Sequence, residues 1–499
     1  MVETTHVKTN IVIGMGFGDE GKGRVTAWLA DKMARTTSAP YRDKAACVVR
    51  FSGGQQAGHT VVSKLDGMIP YTFESDKYSH QIRHVFSTLG SGTLSDFNTY
   101  VSKYCVFDPQ CAVNEFRAIG NEIENELVGV PVKGFDMIMP DDAAHDMCGK
   151  YWMYLPKCVI DPRVPLTTPY EVYANQHSGD TISDGTCGMG VWATRVRETA
   201  GISITAGDMR YPVVLRTKLK SLAGWYRKSG VLPADIDLEL DRWLSAVDLI
   251  IRDSRHFSIG PLPACSDGLI FEGSQGLLLD QTHGFAPNTT PSDTGLSNLT
   301  AFDNDLGFGK RPINMLNDIF LRNNGEDMRD IVFSSDIYLV TRAYQTRHGA
   351  GFMTNETLPH NIADDPDETN VMNEWQKDFR KSILDVDLLN YALDRHMICE
   401  TVNGTKSRLH LVVTCVDHVR DALCFTENGK MRQFSDTDEF IAEIGSALFD
   451  HRTITSEVKL HYSDSPSGQI KDAMSKQEYM RRNYVRYAST YDSNCVAIG

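Results

Sequence analysis

The chain has 499 residues, 41% of them hydrophobic and 23% charged, which is the composition of a folded globular protein and not of a disordered or fibrous one. A net charge of −15 at pH 7 argues against a nucleic-acid-coating surface and against adhesion to anionic membranes, so neither nucleic acid nor membrane is an expected partner. The 11 cysteines, an odd number with no C-x-x-C pair, fit reduced thiols in the cytoplasm better than a disulfide framework or a structural zinc site, and no run reaches the ~20 apolar residues of a membrane span.

Ile11-Val12-Ile13 is a short apolar strand that runs into Gly14-Met15-Gly16-Phe17-Gly18-Asp19-Glu20-Gly21-Lys22-Gly23-Arg24. Glycine lets backbone approach a ligand closely and adopt positive φ. A strand, a glycine-rich turn and a helix aim several N–H groups at one point, the arrangement that binds phosphate. This is not the Walker sequence, which closes on Gly-Lys-Ser/Thr. Arg24 stands at the hydroxyl position, and Asp19 is the available Mg²⁺ ligand instead. The spacing of Val25, Trp28, Leu29 and Met33 predicts a helix over 25–33. Cys47-Val48-Val49 predicts a second strand, and it too ends in a glycine loop, Arg50-Phe51-Ser52-Gly53-Gly54-Gln55-Gln56-Ala57-Gly58-His59-Thr60, now with a histidine. Two such loops, one acidic and one carrying His59, point to phosphate transfer.

Further along, His84-Val85-Phe86 predicts a strand before a loop of hydroxyls and glycines, and Tyr104–Phe107 another strand stopped by Asp108-Pro109. Residues 112–128 read as a helix, 129–210 as loop-rich and 214–253 as helical. Leu269-Ile270-Phe271 is a buried strand entering Glu272-Gly273-Ser274-Gln275-Gly276. A strand and turn follow at 335–345, a helix at 384–397, and a strand at 409–414 ending in Cys415-Val416-Asp417. Residues 420–460 and the tail after Gln469 are polar and loosely patterned. Strands alternating with helices, with polar motifs at strand ends, predict one α/β domain over 1–499: a P-loop-like unit with a central, mostly parallel β-sheet flanked by helices and long loops.

Taken together, these loops resemble the adenylosuccinate synthetases, which condense IMP with L-aspartate at the expense of GTP. Gly18-Asp19-Glu20-Gly21-Lys22-Gly23 matches the signature GDEGKG in full. Gly53–Thr60 is similar to GGxNAGHT, Phe271–Asp280 to FEGAQGxLLD, Tyr344–Gly351 to AYxTRVGxG, and Val413–Asp417 to TKLD. The matches keep their order from about residue 10 to residue 468, leaving 469–499 as a tail. The resemblance implies that Asp19 removes the purine N1 proton and ligates Mg²⁺, with the Gly58 carbonyl as a further ligand. It implies that His59 stabilises charge on O6 and that Gln275 contacts the purine nucleotide. Lys22, with Gly18, Glu20, Gly21 and Gly23, is implied to hold phosphates. By the same resemblance Gln56, Thr60, Thr186 or Cys187, Arg195, Thr289, Arg347 and Ser463 contact nucleotide, and Arg195 does so across the interface of a homodimer. Asp417 would accept from guanine N1–H and its 2-amino group, so GTP is the expected donor and ATP the alternative.

The pattern departs on the amino-acid side. Asn373–Asp385 is shorter than the corresponding family loop and carries Arg380 where the family has several arginines. Arg380 and Thr346 are the implied contacts to L-aspartate. The alternative activity is that of phage relatives, which make 2-aminoadenylosuccinate from (d)GMP with ATP or GTP. There a small residue often replaces the first-loop acid, so Asp19 favours IMP. A nucleotide sensor without catalysis is expected to lose Asp19, Lys22 or His59, and a regulatory GTPase to show a Walker hydroxyl; neither pattern is present.

Overall fold

The structure is a computed structural model that describes residues 6–35, 46–64, 81–126, 155–177, 186–232, 237–263, 265, 268–299, 332–364, 375, 377–398, 401–402, 405–454, 457–466 and 469–481. Parts of several predicted segments, 127–154 and 373–374 among them, lie outside these residues.

The first apolar run becomes the strand His6–Gly14. Ile11, Val12 and Ile13 are fully buried, as expected of a strand covered on both faces. Its two neighbours, Gly268–Gly276 and Val332–Arg342, are both parallel to it. Outward on one side come Ala46–Arg50, Asn98–Val101, Cys158–Ile160 and Phe257–Ile259, all parallel. On the other side come Thr405–Thr414 and Lys459–Tyr462, also parallel, and then the antiparallel edge strand Lys471–Ala473. Because the central strands run the same way, their carboxyl ends and the motifs that follow share one edge, where open α/β sheets bind ligands.

Two smaller sheets stand over that edge. His59–Lys64 pairs antiparallel with Gln81–Phe86, so the strand predicted at 84–86 lies in a hairpin and not in the main sheet. Tyr344–His348, Phe379–Asp385, Leu423–Glu427 and Lys430–Phe434 form a four-stranded sheet. Helices Lys22–Ala34, Pro109–Glu126, Pro212–Lys228, Asp237–Arg252 and Val386–Arg395 fall where the periodicity put them, within a few residues.

Three expectations need correction. Tyr104–Phe107 is a turn region and the strand lies just before it, at Asn98–Val101. The stretch read as loop-rich contains the strand Cys158–Ile160 and the helices Pro169–His177 and Val191–Thr199. Within residues 420–454, read as polar and loosely patterned, lie two strands and the helix Thr437–Phe449, which buries Phe440, Ile441, Ile444 and Leu448. Among the described residues no helix is long and apolar enough to cross a membrane.

Candidate active site

The first loop is shaped by its own acid. Glu20, 3% exposed, accepts from the N–H groups of Gly16 at 3.0 Å and Gly18 at 2.8 Å, and from Lys22 Nζ at 2.6 Å. Its carboxylate therefore braces the loop and is not offered to a ligand. Gly18, Asp19 and Gly21 all have positive φ, at 94°, 61° and 86°. Asp19 tolerates that region better than most side chains do. Thr414, at the end of its strand, donates to the Glu20 carbonyl at 2.7 Å and ties the loop to the Val413–Asp417 segment.

The helix that follows approaches the second loop closely. A Cβ added at Gly23 would lie 2.4 Å from His59 Cβ, so only glycine lets the two loops meet. Between them opens a cleft of about 410 Å³. It brings together Asp19, Gly21, Lys22 and Gly23 from the first loop, Gly58, His59 and Thr60 from the second, and Asp417 and Ser463 from the ends of two further strands. Arg24 and Arg342 also line it.

His59 is held by a residue the sequence reading gave no role. Its Nδ1 lies 2.8 Å from Glu272 Oε1, in the middle of the fully buried strand Gly268–Gly276, and its Nε2 lies 3.4 Å from the Ser274 carbonyl. Glu272 has no solvent exposure and also accepts from the backbone N–H of Ser91 at 3.1 Å and from the Ser91 hydroxyl. Burial pushes the Glu272 carboxyl up, but the His59 charge and hydrogen bond, Arg50 and Ser91 outweigh it and hold it down to about 2. Burial pulls His59 below its ordinary value, against the opposing pull of Glu272. The buried Arg50 bonds the Leu89 carbonyl at 2.9 Å and the Ser274 hydroxyl at 3.0 Å, and so fixes both segments that frame the pair.

Asp19 is 18% exposed in its side chain, and its Oδ2 lies 3.3 Å from His348 Nε2. Burial raises its carboxyl, but the hydrogen bond and charge of His348, with Arg342 and Lys22, bring it below the ordinary carboxylate value. The Arg342 Nε donates to the Asp19 carbonyl.

The remaining expected residues lie off the cleft lining. Gly18, Glu20 and Thr346 border a much smaller space behind the first loop, where the Thr346 hydroxyl is 3.4 Å from the Gly18 carbonyl. Gln275 is buried against Gly53, whose added Cβ would meet its Oε1 at 2.6 Å. Gln56 folds over Gly54, while the adjacent Gln55 donates to the Met189 carbonyl at 2.8 Å and joins the second loop to the 186–190 turn. In that turn the Thr186 hydroxyl donates to Asn175 at 3.0 Å, and burial pushes the Cys187 thiol up, keeping it protonated. Arg195 is engaged by Glu198 at 3.1 Å and by the Tyr104 carbonyl. Thr289 sits in the turn after the cis Ala286–Pro287 bond, its N–H on the Pro287 carbonyl at 2.9 Å.

Two arginines read as ligands are bonded to backbone carbonyls. Arg347, 2% exposed, donates to the carbonyls of Phe352 at 2.6 Å and Asn288 at 2.7 Å and stacks over Phe17 at 4.4 Å. Burial, with Arg380 nearby, draws it down to about 10. Arg380 bonds the carbonyls of Gly349 and Gly351 at 2.9 and 2.8 Å and Glu356 at 2.6 Å. Its fork shapes the 349–356 turn. No group of three or more His, Cys, Asp or Glu able to hold a metal ion occurs among the described residues.

Residues 11–146 match the family model for adenylosuccinate synthetase. The chain is 25% identical over 363 residues to the adenylosuccinate synthetase of Chromohalobacter salexigens, covering 69% of this chain and 64% of that protein. It is 27% identical over 299 residues to that of Nitrosomonas eutropha, covering 58% and 56%. The match thus spans less than two thirds of the length of these relatives. The fold is similar to that of the fully ligated adenylosuccinate synthetase from Plasmodium falciparum, with a TM-score of 0.55, 13% identity, and 93% and 99% of the two chains covered.

Proposed function

We propose that this chain, a relative of the adenylosuccinate synthetases, is a ligase that joins L-aspartate to C6 of IMP with hydrolysis of GTP, giving adenylosuccinate, GDP and phosphate. The observation that carries the reading is the convergence of Asp19, Lys22 and His59 on one cleft whose lining includes Asp417. Replacing a purine 6-oxo group by an amine requires the N1 proton to leave and O6 to become a leaving group. Asp19, ionised at neutral pH, takes the N1 proton. Charge then builds on O6. Glu272 fixes the His59 ring through Nδ1 and opposes the burial that disfavours the imidazolium, so that as O6 becomes negative the ring takes up a proton and donates from Nε2 to that oxygen. Lys22 and the first-loop amides neutralise phosphoryl oxygens as the γ-phosphoryl group passes to O6. The aspartate amine attacks C6 and expels phosphate.

The cleft fits Mg²⁺ as a shared ion. The Asp19 carboxylate and the Gly58 carbonyl are hard oxygen donors on one cleft, and nucleotide phosphates complete such a site. The ion would supply charge neutralisation across the phosphates. Asp417 is exposed at the cleft with acceptor oxygens for guanine N1–H and its 2-amino group, which favours GTP over ATP. Retention of Asp19 favours a purine without a 2-amino group, hence IMP over GMP or dGMP. A cytoplasmic homodimer is part of the same proposal.

The test is phosphate release by purified protein with Mg²⁺, L-aspartate and GTP, comparing IMP, GMP and dGMP. Release with IMP, together with adenylosuccinate absorbance, supports the reading. Release with dGMP alone moves the chain to 2-aminoadenylosuccinate synthesis. Release with none of them, in GTP or ATP, refutes the ligase assignment.

A further inference from the structure

Of the groups that touch Asp19, His348 stands where the family pattern has another residue type. The pattern AYxTRVGxG places a valine there, and this sequence has Arg347-His348-Gly349. His348 ends the strand Tyr344–His348, in register with Phe379 of the neighbouring strand, and its ring packs on Phe379 with centroids 4.8 Å apart. Its Nδ1 is buried with no hydrogen-bond partner among the described residues. An unpaired buried polar atom costs free energy that a valine would not cost. What the imidazole offers in return is Nε2, 3.3 Å from Asp19 Oδ2. An ionised carboxylate only accepts, so Nε2 carries the proton.

A second grip acts on the same residue from its main chain. Asp19 is a non-glycine residue at φ 61°. Its carbonyl accepts from Arg342 Nε, and Arg342 Nη1 donates to the Tyr344 hydroxyl at 2.6 Å. That hydroxyl lies 2.8 Å from His418 Nδ1, one residue beyond Asp417.

We propose that His348 is a positioning residue for Asp19: it occupies Oδ2 and fixes the rotation of the carboxylate, so that Oδ1 is presented to the purine N1–H. Arg342 holds the backbone end of the same residue, so Asp19 is clamped at both ends before substrate arrives. The role in turnover rests on the ligase reading above, whereas the contact itself does not.

The test compares wild-type protein with His348→Val and His348→Gln in the phosphate-release assay with Mg²⁺, GTP, L-aspartate and IMP. Valine keeps apolar packing on Phe379 and removes the donor. Glutamine returns an amide N–H to the place of Nε2. Loss of positioning lowers kcat by about 10²-fold in His348→Val. The KM for GTP stays unchanged, and His348→Gln recovers most of the rate. A His348→Val protein with wild-type kcat overturns the proposal. Equal losses in the two variants also overturn it, because they would mark packing and not hydrogen bonding. A second readout needs no turnover. In ¹⁵N-histidine NMR of the full chain, the Nε2–H signal assigned through His348→Val should shift in Asp19→Asn. No shift overturns the clamp, and a shift in a protein that releases no phosphate upholds the clamp while removing the ligase reading alone.

Discussion

Replacing Glu272 by glutamine changes one charge at the centre of the site and almost no volume. The wild-type carboxylate receives His59 Nδ1, the Ser91 N–H and the Ser91 hydroxyl, and is sealed from solvent. An amide can offer an acceptor on one side only, so its NH₂ must face either Ser91 or the imidazole. In the second case Nδ1 becomes an acceptor, and the ring is held neutral with its one proton on Nε2, without the carboxylate that supports a second proton and its charge. The same carboxylate-to-amide change in serine-hydrolase triads costs about 10⁴-fold. In the proposed mechanism His59 stabilises charge and does not activate a nucleophile, so the expected loss in kcat is smaller, about 10²–10³-fold. Stability follows from linkage. The carboxyl falls from an ordinary 4.5 to about 2 on folding, because His59, Arg50 and Ser91 outweigh the burial that would raise it. At ~1.4 kcal/mol per unit, that shift contributes about 3 kcal/mol to the folded state. A depressed folded-state value means the contribution is complete above pH 4.5 and disappears as pH falls toward 2. Urea unfolding should therefore show Glu272→Gln less stable than wild type by about 3 kcal/mol at pH 7, with the gap narrowing between pH 4.5 and pH 2. A variant with wild-type kcat, or a stability gap independent of pH across that window, refutes the reasoning.

Three other outcomes follow from the same geometry. Asp19→Ala and His59→Ala should each lose about 10²–10⁴-fold in kcat for phosphate release while remaining folded by circular dichroism, and near-normal turnover in either would remove the mechanism. Gly23→Ala puts a methyl 2.4 Å from His59 Cβ and 2.9 Å from Ser91 Oγ. It should lower unfolding free energy by about 1–3 kcal/mol and kcat with it, whereas full retention of both would mean that the two loops are not in contact. Asp417→Asn removes the charge from a bidentate acceptor at the base end of the cleft. KM for GTP should rise about 10–100-fold with KM for IMP unchanged, and an unchanged KM for GTP would place guanine elsewhere.

The parts of the site that were legible in the sequence are those whose residue type is dictated by backbone geometry. Gly18, Gly21 and Gly23 announce positive φ and close approach, and the structure uses them that way. Buried strands such as Ile11–Ile13 and Leu269–Phe271 announce themselves by apolar runs. Elsewhere the same signal misleads. Tyr104-Cys105-Val106-Phe107 is as apolar as a strand, yet it packs into a turn, because a short apolar run reports burial and not conformation. The helix Thr437–Phe449 had a readable start, since Asp436 caps the Glu439 N–H, and apolar residues at 440, 441, 444 and 448. The many polar residues around that stripe masked it.

The cations show where reading stops. Arg342, Arg347 and Arg380 are alike in sequence, each a guanidinium beside a glycine-bearing motif. Arg347 and Arg380 each donate to two backbone carbonyls, and the one without an assigned role, Arg342, lines the cleft. A guanidinium has five donors, and a turn with exposed carbonyls satisfies them as well as a substrate carboxylate does. Only the path of the chain decides between the two. The same holds for Glu272 and His348, which lay inside motifs already singled out but whose partners come from 213 residues away in one case and from the first loop in the other. Residues proposed to meet the substrate stood out in the sequence because chemistry restricts their type. Residues that aim them did not, because any donor or acceptor at the right point in space suffices, and that point is fixed only when distant strands of the sheet are laid side by side.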